Sequence, residues 1–473
     1  MELADDAYIA GAWVRTEKRF AVHDPFDNAL IAEVSDCDAP TVDRAIAAAG
    51  RAFVAWRARP APERGQFLAK VAALMARDEA RLAELCTREN GKALKESVAE
   101  VNYAASFLHW FAGEAERIYG ETIPSSRADG RITVTREPVG PCALITPWNF
   151  PYAMLTRKLG AALAAGCTVV CKPAAQTPLS AIAIAQLCHE AGVPAGVVNV
   201  VTGTEHQRIG NQFFAAKTIR KVSFTGSTRV GQDLVRQSAD DLKRISLELG
   251  GNAPFVVLRD ADLDAAVTGA MIAKFRNTGQ SCVAANRFIV EAPVADEFAK
   301  RFIAQIAKLK TGRGLDAATD LGPLIDDKAV AKVGKLVDDA LAQGAKLLHG
   351  ARPTSRLVAP IVLANITPEM DIWREEIFGP VVTLRTGKDA AECLAFANDT
   401  DMGLVAYVYT RDGASQSRAA ETLQAGMIGM NEGLVSTAQA PFGGVKHSGL
   451  GREGSRHGLD DYTNFKYVAT KLI

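Results

Sequence analysis

One cysteine in a polar, glycine-containing loop is the strongest candidate for covalent chemistry in this sequence. Cys282 ends the segment 277–282, which reads NTGQSC, and Glu248 begins the segment 248–251, which reads ELGG. A thiol held near solvent and main-chain N–H groups has a lowered pKa, and its thiolate can attack a carbonyl carbon. Glu248 could act as its chemical partner, although spacing alone does not bring the two together. The alternative for Cys282 is a buried, unreactive cysteine that packs as a small hydrophobe.

Two series of alternating strand-like and helix-like segments must position these residues. In the first series the strand-like runs are 142–145, 167–171, 197–201, 221–224 and 245–247. The helix-like segments of that series are 179–191, 206–214 and 228–237. The second series has strand candidates at 255–258, 287–290, 347–348 and 381–384, and helices at 263–275 and 294–309. This alternation predicts an α/β fold with parallel, doubly wound sheets, which bind ligands at the carboxyl ends of their strands.

Amphipathic helices precede the first series, and a β-like arm separates them from it. Apolar residues recur at helical spacing in 42–56 and 67–75, and 104–119 is a third helical segment. Residues 121–137 alternate in character and predict a protruding β-arm.

Composition and charge exclude several classes of function. A chain of 473 residues is long enough for two or three domains with a large core. The 54 basic and 54 acidic residues cancel, so no nucleic-acid partner is expected. No signal peptide is visible. A membrane span needs about 20 apolar residues, and the longest nearly apolar run, 159–171, is shorter, so no membrane partner is expected. The eight cysteines form no disulfide or zinc pattern, and we expect a cytoplasmic location.

Several motifs in a fixed order make the chain resemble the NAD(P)-dependent aldehyde dehydrogenase superfamily. They are 146–151 (TPWNFP), 248–251 (ELGG), 277–282 (NTGQSC) and 376–380 (EIFGP). The resemblance extends over nearly the whole chain, from 11–13 (GAW) to Lys466 and Tyr467. Several separate motifs in the right order are far more specific than any one of them.

The resemblance implies an aldehyde-dehydrogenase-like α/β fold, with two doubly wound Rossmann-like domains and a β-arm oligomerisation element. We expect the dinucleotide-binding domain at 1–120 and 142–250, and the catalytic domain at 251–445. The oligomerisation element is expected at 121–141 and 461–473. A homodimer or homotetramer is the expected assembly.

The resemblance also assigns roles to three catalytic residues. Cys282 is expected to be the nucleophile, and Glu248 the general base that activates water. The Asn149 amide and the Cys282 main-chain N–H would stabilise the oxyanion, and one such donor is typically worth about 3–4 kcal/mol of barrier. Superfamily members that transfer acyl groups to coenzyme A lack this glutamate, so its presence favours hydrolysis. The alternatives are a turn residue for Asn149 and a strand-end ion pair for Glu248.

The expected cofactor is NADP, with NAD as a second acceptor. Ser227 lies where a strand gives way to a helix, and free N–H groups there suit a pyrophosphate, although an ordinary helix N-cap is the alternative. In the family the lysine at Lys172 contacts the adenosine ribose, and Ala175 stands where many NAD-preferring members carry a glutamate. Without that carboxylate, Lys172 and Ser227 can bind a 2′-phosphate; the alternative is a lysine that snorkels from its strand end.

Glu376 would hold the nicotinamide ribose, and Phe378 would pack near the nicotinamide ring. The full set of expected cofactor-binding residues is Trp148, Asn149, Lys172, Ala175, Gly226, Ser227, Leu249, Glu376 and Phe378.

Within the superfamily, the chain most resembles the succinate-semialdehyde dehydrogenases. The supporting segments are 156–158 (TRK), 285–287 (ANR) and 431–436 (NEGLVS). In that subfamily two arginines and a serine hold the distal carboxylate of the aldehyde substrate. The matching positions are Arg157, Arg287 and Ser436.

Other functions stay open at this point. The arginines could form surface ion pairs instead, and the enzyme would then accept a broad range of aldehydes. Glutarate semialdehyde is an alternative substrate, because one methylene is worth only about 1–3 kcal/mol in specificity. A non-catalytic nucleotide-binding protein is the alternative outside the enzymes, against which the intact Cys282, Glu248 and Asn149 argue. Ala284 replaces the second cysteine of some subfamily members, so we expect no disulfide switch at the nucleophile.

Overall fold

The computed structural model describes residues 4–472. Up to Glu248 the elements are β1 (Ala7–Ile9), β2 (Ala12–Val14), β3 (Arg19–His23), β4 (Leu30–Ser35), α1 (Ala39–Ala58), α2 (Ala61–Arg77), α3 (Glu79–Asn90), α4 (Leu94–Glu114), β5 (Glu121–Ile123), β6 (Gly130–Pro138), β7 (Cys142–Ile145), α5 (Pro151–Ala165), β8 (Val169–Lys172), α6 (Pro178–Glu190), β9 (Val198–Val200), α7 (His206–Ala215), β10 (Lys221–Thr225), α8 (Thr228–Ser238) and β11 (Arg244–Glu248).

The rest of the chain continues the alternation of strands and helices. Its elements are β12 (Ala253–Val257), α9 (Leu263–Phe275), β13 (Ala285–Glu291), α10 (Ala295–Ile306), α11 (Asp327–Ala342), β14 (Lys346–His349), β15 (Ile361–Ala364), α12 (Asp371–Arg374), β16 (Val381–Gly387), α13 (Ala390–Asn398), β17 (Val405–Tyr409), α14 (Gly413–Thr422), β18 (Met427–Met430), β19 (Gly449–Leu450) and β20 (Thr463–Lys471). Among residues 4–472, no helix combines the length and the apolar character needed to cross a membrane.

The first sheet has its crevice between β7 and β10. Its strand order, within residues 4–472, is β19-β11-β10-β7-β8-β9-β1-β2, and the strands from β11 to β9 run parallel. From β7 the chain winds through β8 and β9 on one side and then returns to β10 and β11 on the other. Such a reversal opens a crevice at the carboxyl ends of the two central strands, where open α/β sheets bind their ligands. The segments that follow β7 and β10 contain Asn149 and Ser227.

The second sheet begins where the first one ends. Its strand order, within residues 4–472, is β14-β15-β16-β13-β12-β17-β18. Only the segment 249–252 joins the end of β11 to the start of β12, so the chain passes directly from the carboxyl edge of the first sheet to the amino edge of the second. Cys282 precedes β13, which pairs with β12, and it therefore lies at that same amino edge. The topology thus directs Glu248 and Cys282 to one junction.

Buried carboxylates complete the helices next to this junction. Every residue of α5 is buried, and its first N–H groups lack intrahelical acceptors, as at any helix start. Glu100 of α4 accepts hydrogen bonds from the N–H groups of Tyr152 and Ala153 at 2.9 and 3.3 Å. Glu89 of α3 plays the same part for the first turn of α6. Carboxylates are favoured at these positions because the positive end of the helix dipole lies there.

The predicted arm is a separate small sheet. Within the described chain its strand order is β20-β6-β5, and β6 pairs antiparallel with β20 from Pro138 opposite Thr463 to Gly130 opposite Lys471. The predicted element 461–473 ends at Ile473, which lies outside the described residues, as do residues 1–3 of the predicted first domain.

The structure confirms the predicted α/β class with doubly wound sheets. The bounds of β7 and α9 are the predicted ones, 142–145 and 263–275, and the other predicted strands and helices agree to within a few residues. The third N-terminal helix begins at Leu94 rather than at residue 104. The structure adds α3, α11, β15, β17 and β18, while the domain boundaries themselves stay predictions.

Candidate active site

A cleft separates the carboxyl edge of the first sheet from the Cys282 loop. Its volume is about 270 Å³, close to the lower end of the range of ligand-binding pockets. The predicted site residues that line it are Trp148, Asn149, Gly226, Ser227, Leu249, Cys282, Glu376 and Phe378. The structure thus places the predicted nucleophile in one cleft with most of the predicted cofactor-binding residues.

The surroundings of Cys282 hold its thiol in the neutral form. The residue is half-buried, and it packs against the apolar core of the second sheet. Burial raises the pKa of the thiol to about 12, while the Arg157 guanidinium opposes that rise. The expectation of a lowered pKa is therefore wrong, because the effect of burial outweighs that of the Arg157 charge.

Asn149 connects the first sheet to the Cys282 loop. Its Nδ2 donates a hydrogen bond to the Gln280 carbonyl at 3.1 Å. Its own main-chain carbonyl accepts from Lys92 Nζ at 2.7 Å and from Asn277 Nδ2 at 2.9 Å. An amide nitrogen carries two hydrogens, so the bond to Gln280 leaves one for a substrate oxygen. Asn149 therefore makes more contacts than a simple turn residue, which was the alternative role for it.

Glu248 is buried at the end of β11. Burial raises the pKa of its carboxyl group well above the ordinary value, and Glu453 adds to the rise, whereas Arg157 and Lys158 oppose it. Both of these cations pair with Glu453, so the strand-end ion pair expected as the alternative for Glu248 is not formed with them. Within residues 4–472, Oε2 of Glu248 has no hydrogen-bond partner. Its charge also raises the pKa of Cys282, so the two groups are electrostatically coupled.

One end of the cleft suits a nicotinamide ribose and ring. The Trp148 and Phe378 rings meet edge to face, with centroids 5.6 Å apart and planes at 83°. Glu376 accepts a hydrogen bond from the Gly251 N–H at 3.1 Å. Burial raises the pKa of Glu376 to about 6, and the nearby Lys332 opposes that rise.

The middle of the cleft suits a pyrophosphate. Ser227 is the N-cap of α8, where its hydroxyl accepts from the Val230 N–H at 3.4 Å. The helix N-cap that was the alternative for Ser227 is therefore observed. The free N–H groups of that helix start face the switch point of the first sheet, where anions bind readily. The buried Thr225 hydroxyl, which also lines the cleft, finds no protein partner among the described residues. Unsatisfied donors of this kind fit a phosphate.

Lys172 ends β8 and turns inward, so the snorkelling alternative is wrong. It is buried, donates to the carbonyls of Pro173 and Gly203 at 3.0 and 3.4 Å, and lies 2.7 Å from Nδ1 of His206. Burial lowers the pKa of Lys172 to about 8. Ala175 follows at the same strand end and is half-buried.

Arg157 lies beside the thiol on the wholly buried α5. Its Nε pairs with Glu453 at 2.5 Å, and its Cζ lies 4.4 Å from the centroid of the Phe442 ring. Its Nη1, although buried, has no hydrogen-bond partner within residues 4–472. Its charge lowers the pKa of Cys282. An unpartnered guanidinium nitrogen next to a nucleophile can bind an anionic substrate group.

A second arginine joins Arg157 around Tyr103. Burial raises the pKa of the Tyr103 hydroxyl, and Arg157, Arg276 and the Ser436 side chain all oppose that rise. Arg276 also lies over the Phe150 ring, 5.5 Å from its centroid. Arg276 is not among the site residues predicted from the sequence, although it directly precedes the NTGQSC segment.

Arg287 lies in the core of the second sheet, and its predicted substrate role is wrong. Its guanidinium donates to the carbonyls of Asn252, Phe396 and Ala397 at 3.0, 2.9 and 2.9 Å. Two of these carbonyls belong to the last turn of α13, where helix carbonyls lack intrahelical partners. Arg287 therefore caps a helix, and its donors are not available to a substrate.

Comparison with known proteins places this site in a well-populated family. A family model described as "Aldehyde dehydrogenase family" matches residues 13–468. A glutarate-semialdehyde dehydrogenase of Pseudomonas putida is 49% identical over 469 residues, 98% of either chain. A succinate-semialdehyde dehydrogenase [NADP(+)] of Escherichia coli is 48% identical over 471 residues, also 98% of either chain. The crystal structure of an E. coli NADP-dependent enzyme superposes with a TM-score of 0.98 at 48% identity, covering 99% of this chain and 98% of that one.

The corrected role of Arg287 leads to a stability prediction. We expect Arg287→Lys to lower the free energy of unfolding by about 2–4 kcal/mol, because an ammonium group cannot donate hydrogen bonds to all three buried carbonyls as the guanidinium does. The KM for the aldehyde should not change. Urea denaturation and steady-state kinetics, with the exposed Arg418→Lys as control, measure both effects. A raised KM at unaltered stability would return Arg287 to the substrate site.

Proposed function

The chain belongs to the aldehyde dehydrogenase family, and we propose that it oxidises succinate semialdehyde to succinate with NADP as the preferred hydride acceptor. The observation that carries the proposal is the cleft that Cys282 shares with Asn149 and Glu376, together with the positive charge of Arg157 acting on the Cys282 thiol. The relatives named for succinate and glutarate semialdehydes support a substrate with an aldehyde at one end and a carboxylate at the other.

In the proposed reaction, the Cys282 sulfur adds to the aldehyde carbon after its proton has left. The addition converts the aldehyde oxygen into an oxyanion, which the free Asn149 N–H and the Cys282 main-chain N–H stabilise. Cleft residues such as Ser227 and Glu376 would hold NADP, which would supply the hydride acceptor, and loss of the hydride would leave a thioester on Cys282. Water then attacks that thioester, which releases the carboxylic acid and restores the thiol. In sum, aldehyde, NADP⁺ and water give carboxylate, NADPH and two protons.

Glu248 is proposed to take the proton from the attacking water. Burial raises the pKa of Glu248, and this supports the role because a carboxylate with a raised pKa is a stronger base. The raised pKa of the Cys282 thiol means that the nucleophile also needs help with ionisation. Arg157 provides part of this help, since its positive charge favours the thiolate.

The distal carboxylate is proposed to bind between Arg157, Arg276 and Ser436. Arg157 contributes its Nη1, which has no hydrogen-bond partner within residues 4–472, and the charges of both arginines act on the buried Tyr103 hydroxyl. Two guanidinium groups and two hydroxyls can satisfy both oxygens of one carboxylate. This set replaces Arg287 of the sequence prediction by Arg276.

A homo-oligomer in the cytoplasm is the proposed form of the enzyme. β20 is an edge strand of the arm, and it exposes 67% of Phe465 and 64% of Tyr467. A long apolar edge strand is a site for pairing with another chain, and proteins normally cover it. We propose that a second copy covers it, in a homodimer or homotetramer.

The two catalytic roles predict different kinetic defects. We expect Cys282→Ser to abolish turnover, because the hydroxyl is a much poorer nucleophile. Glu248→Gln should slow hydrolysis by about 10²–10⁴-fold and leave acylation possible. Stopped-flow absorbance should then show a burst of one NADPH per active site, followed by a slow steady state. Wild-type turnover in either variant, or a Glu248→Gln enzyme without a burst, contradicts the assignment.

The carboxylate site predicts a substrate-dependent effect of Arg276. Arg276→Met should lower kcat/KM for succinate semialdehyde about 10- to 100-fold, since a charge-assisted hydrogen bond contributes about 1.5–3 kcal/mol. Activity on butanal, which has the same carbon number without the carboxylate, should stay near the wild-type value. Steady-state kinetics on both aldehydes make the comparison, with Arg418→Met, at an exposed arginine, as the matched control. An equal loss on the two substrates would remove Arg276 from the carboxylate site.

The pKa of Lys172 predicts a pH-dependent cofactor preference. Burial lowers the pKa of Lys172 to about 8. The ammonium form that attracts a 2′-phosphate therefore predominates well below pH 8 and is lost as the pH rises through this value. We expect the ratio of kcat/KM for NADP to that for NAD to fall across this range. Lys172→Met should lower the ratio and remove its pH dependence. A ratio that is flat with pH in the wild-type enzyme speaks against Lys172 as the phosphate-binding group.

A further inference from the structure

One face of helix α4 contacts several parts of the candidate active site. Glu96, Glu100 and Tyr103 are spaced by four and three residues, so they share a face of the helix. Tyr103 lies at the proposed carboxylate site, Glu100 accepts from the first turn of α5, and Glu96 binds the loop that carries Cys282. Glu96 itself takes no part in the proposed reaction.

The Glu96 carboxylate binds the first residue of a strained turn. Its two oxygens both accept from the Asn277 N–H, each at 3.0 Å. Asn277, Thr278 and Gly279 follow one another with φ of 48°, 56° and 78°, all in the left-handed region. This conformation is costly for a β-branched residue such as Thr278, and it persists only where neighbouring groups impose it.

Other contacts fix the rest of the turn. The Thr278 hydroxyl donates to the Gly322 carbonyl at 3.0 Å, and the Gln280 side chain accepts from the Ile325 N–H at 2.9 Å. Glu96 is the side chain that accepts from the Asn277 N–H, at the point where the chain enters the turn after α9. Burial raises the pKa of Glu96, while its bond to the Asn277 N–H and the positive charges of Lys92, Arg276 and Lys95 oppose that rise.

The opposite wall of the cleft is fixed from the same helix. Glu100 pairs with Lys92, and Lys92 donates to the Asn149 carbonyl at 2.7 Å. The Asn277 side chain donates to that same carbonyl at 2.9 Å. Two carboxylates one helical turn apart therefore hold the Asn149 segment and the Cys282 loop against each other.

We propose that Glu96 is a positioning residue for Cys282. By holding the strained turn at Asn277, it keeps the sulfur and the Asn149 amide directed at one substrate carbonyl. The inference rests on the nucleophilic role of Cys282 in the proposed function. Without this anchor the turn relaxes, and the thiol gains solvent while it loses its alignment.

The test is Glu96→Gln, which keeps the side-chain size but removes the charge and one of the two acceptors. We expect kcat to fall about 10- to 100-fold, because a misplacement of about 1 Å is worth up to 10²-fold. The KM for NADP should not change. Alkylation of the free enzyme by iodoacetamide should become faster, with its half-maximal pH shifted downward, because the thiol is less buried. Glu96→Ala should show the same pattern, and Glu84→Gln, exposed on the neighbouring helix α3, should match the wild type in every measurement.

The unfolding midpoint and the affinity for NADP, measured on the same variants, separate positioning from general stability. A loss of kcat with an unaltered midpoint and an altered alkylation profile supports the proposal. Wild-type kcat and alkylation in a folded Glu96→Gln enzyme overturn it. A lowered midpoint and NADP affinity with an unaltered alkylation profile also overturn it, since they indicate a purely structural role. Alkylation does not require turnover, so failure of the proposed function, seen as full activity of Cys282→Ser, is distinguishable.

Discussion

The main-chain carbonyl of Asn149 is the contact on which the geometry of the site depends. It accepts from Lys92, which belongs to the N-terminal helical region, and from Asn277, which belongs to the loop of the nucleophile. The side chain of the same residue donates to Gln280, two positions before Cys282. Three distant parts of the chain thus meet at one residue at the switch point of the first sheet. Because the oxyanion donor and the nucleophile are joined by these bonds, the distance between them is set by the fold and not by flexible side chains.

Burial is the dominant influence on the pKa of four titratable groups in and around the cleft. It raises the pKa of Cys282 to about 12 and that of Glu376 to about 6, raises that of Glu248, and lowers that of Lys172 to about 8. All four groups are therefore shifted towards their neutral forms. A site of this kind stabilises charge strongly when charge appears, because the fixed donors and Arg157 act with little screening by water. The same property explains why the thiol needs neighbouring positive charge before it can react.

The sequence could predict the elements and the cleft because their signals are local. Short apolar runs alternating with helical segments define the parallel strands, and the loops after β7 and β10 must meet at the switch point. Arg287 shows where local reasoning ends. It lies close to Cys282 in sequence, but β13 carries it into the core, and the helix end that binds it comes from α13, far along the chain. The pKa of Cys282 could not be predicted for the same reason, because it depends on packing with remote segments. Arg276, by contrast, could have been predicted as a site residue, since it directly precedes the segment that contains the nucleophile.

The two arginines of the proposed carboxylate site differ in burial and in the number of their contacts. Arg157 is wholly buried and fixed by Glu453 and Phe442, whereas Arg276 is half-buried and packs over the Phe150 ring. One additional methylene changes binding by about 1–3 kcal/mol, which is similar to the contribution of one charge-assisted hydrogen bond. A rigid pair of arginines would therefore discriminate strongly between four- and five-carbon substrates, since the longer one would lose a bond. An arginine that can follow the carboxylate by changing its rotamer keeps that bond. Discrimination between the two lengths at the proposed carboxylate site would therefore depend on the Arg276 segment.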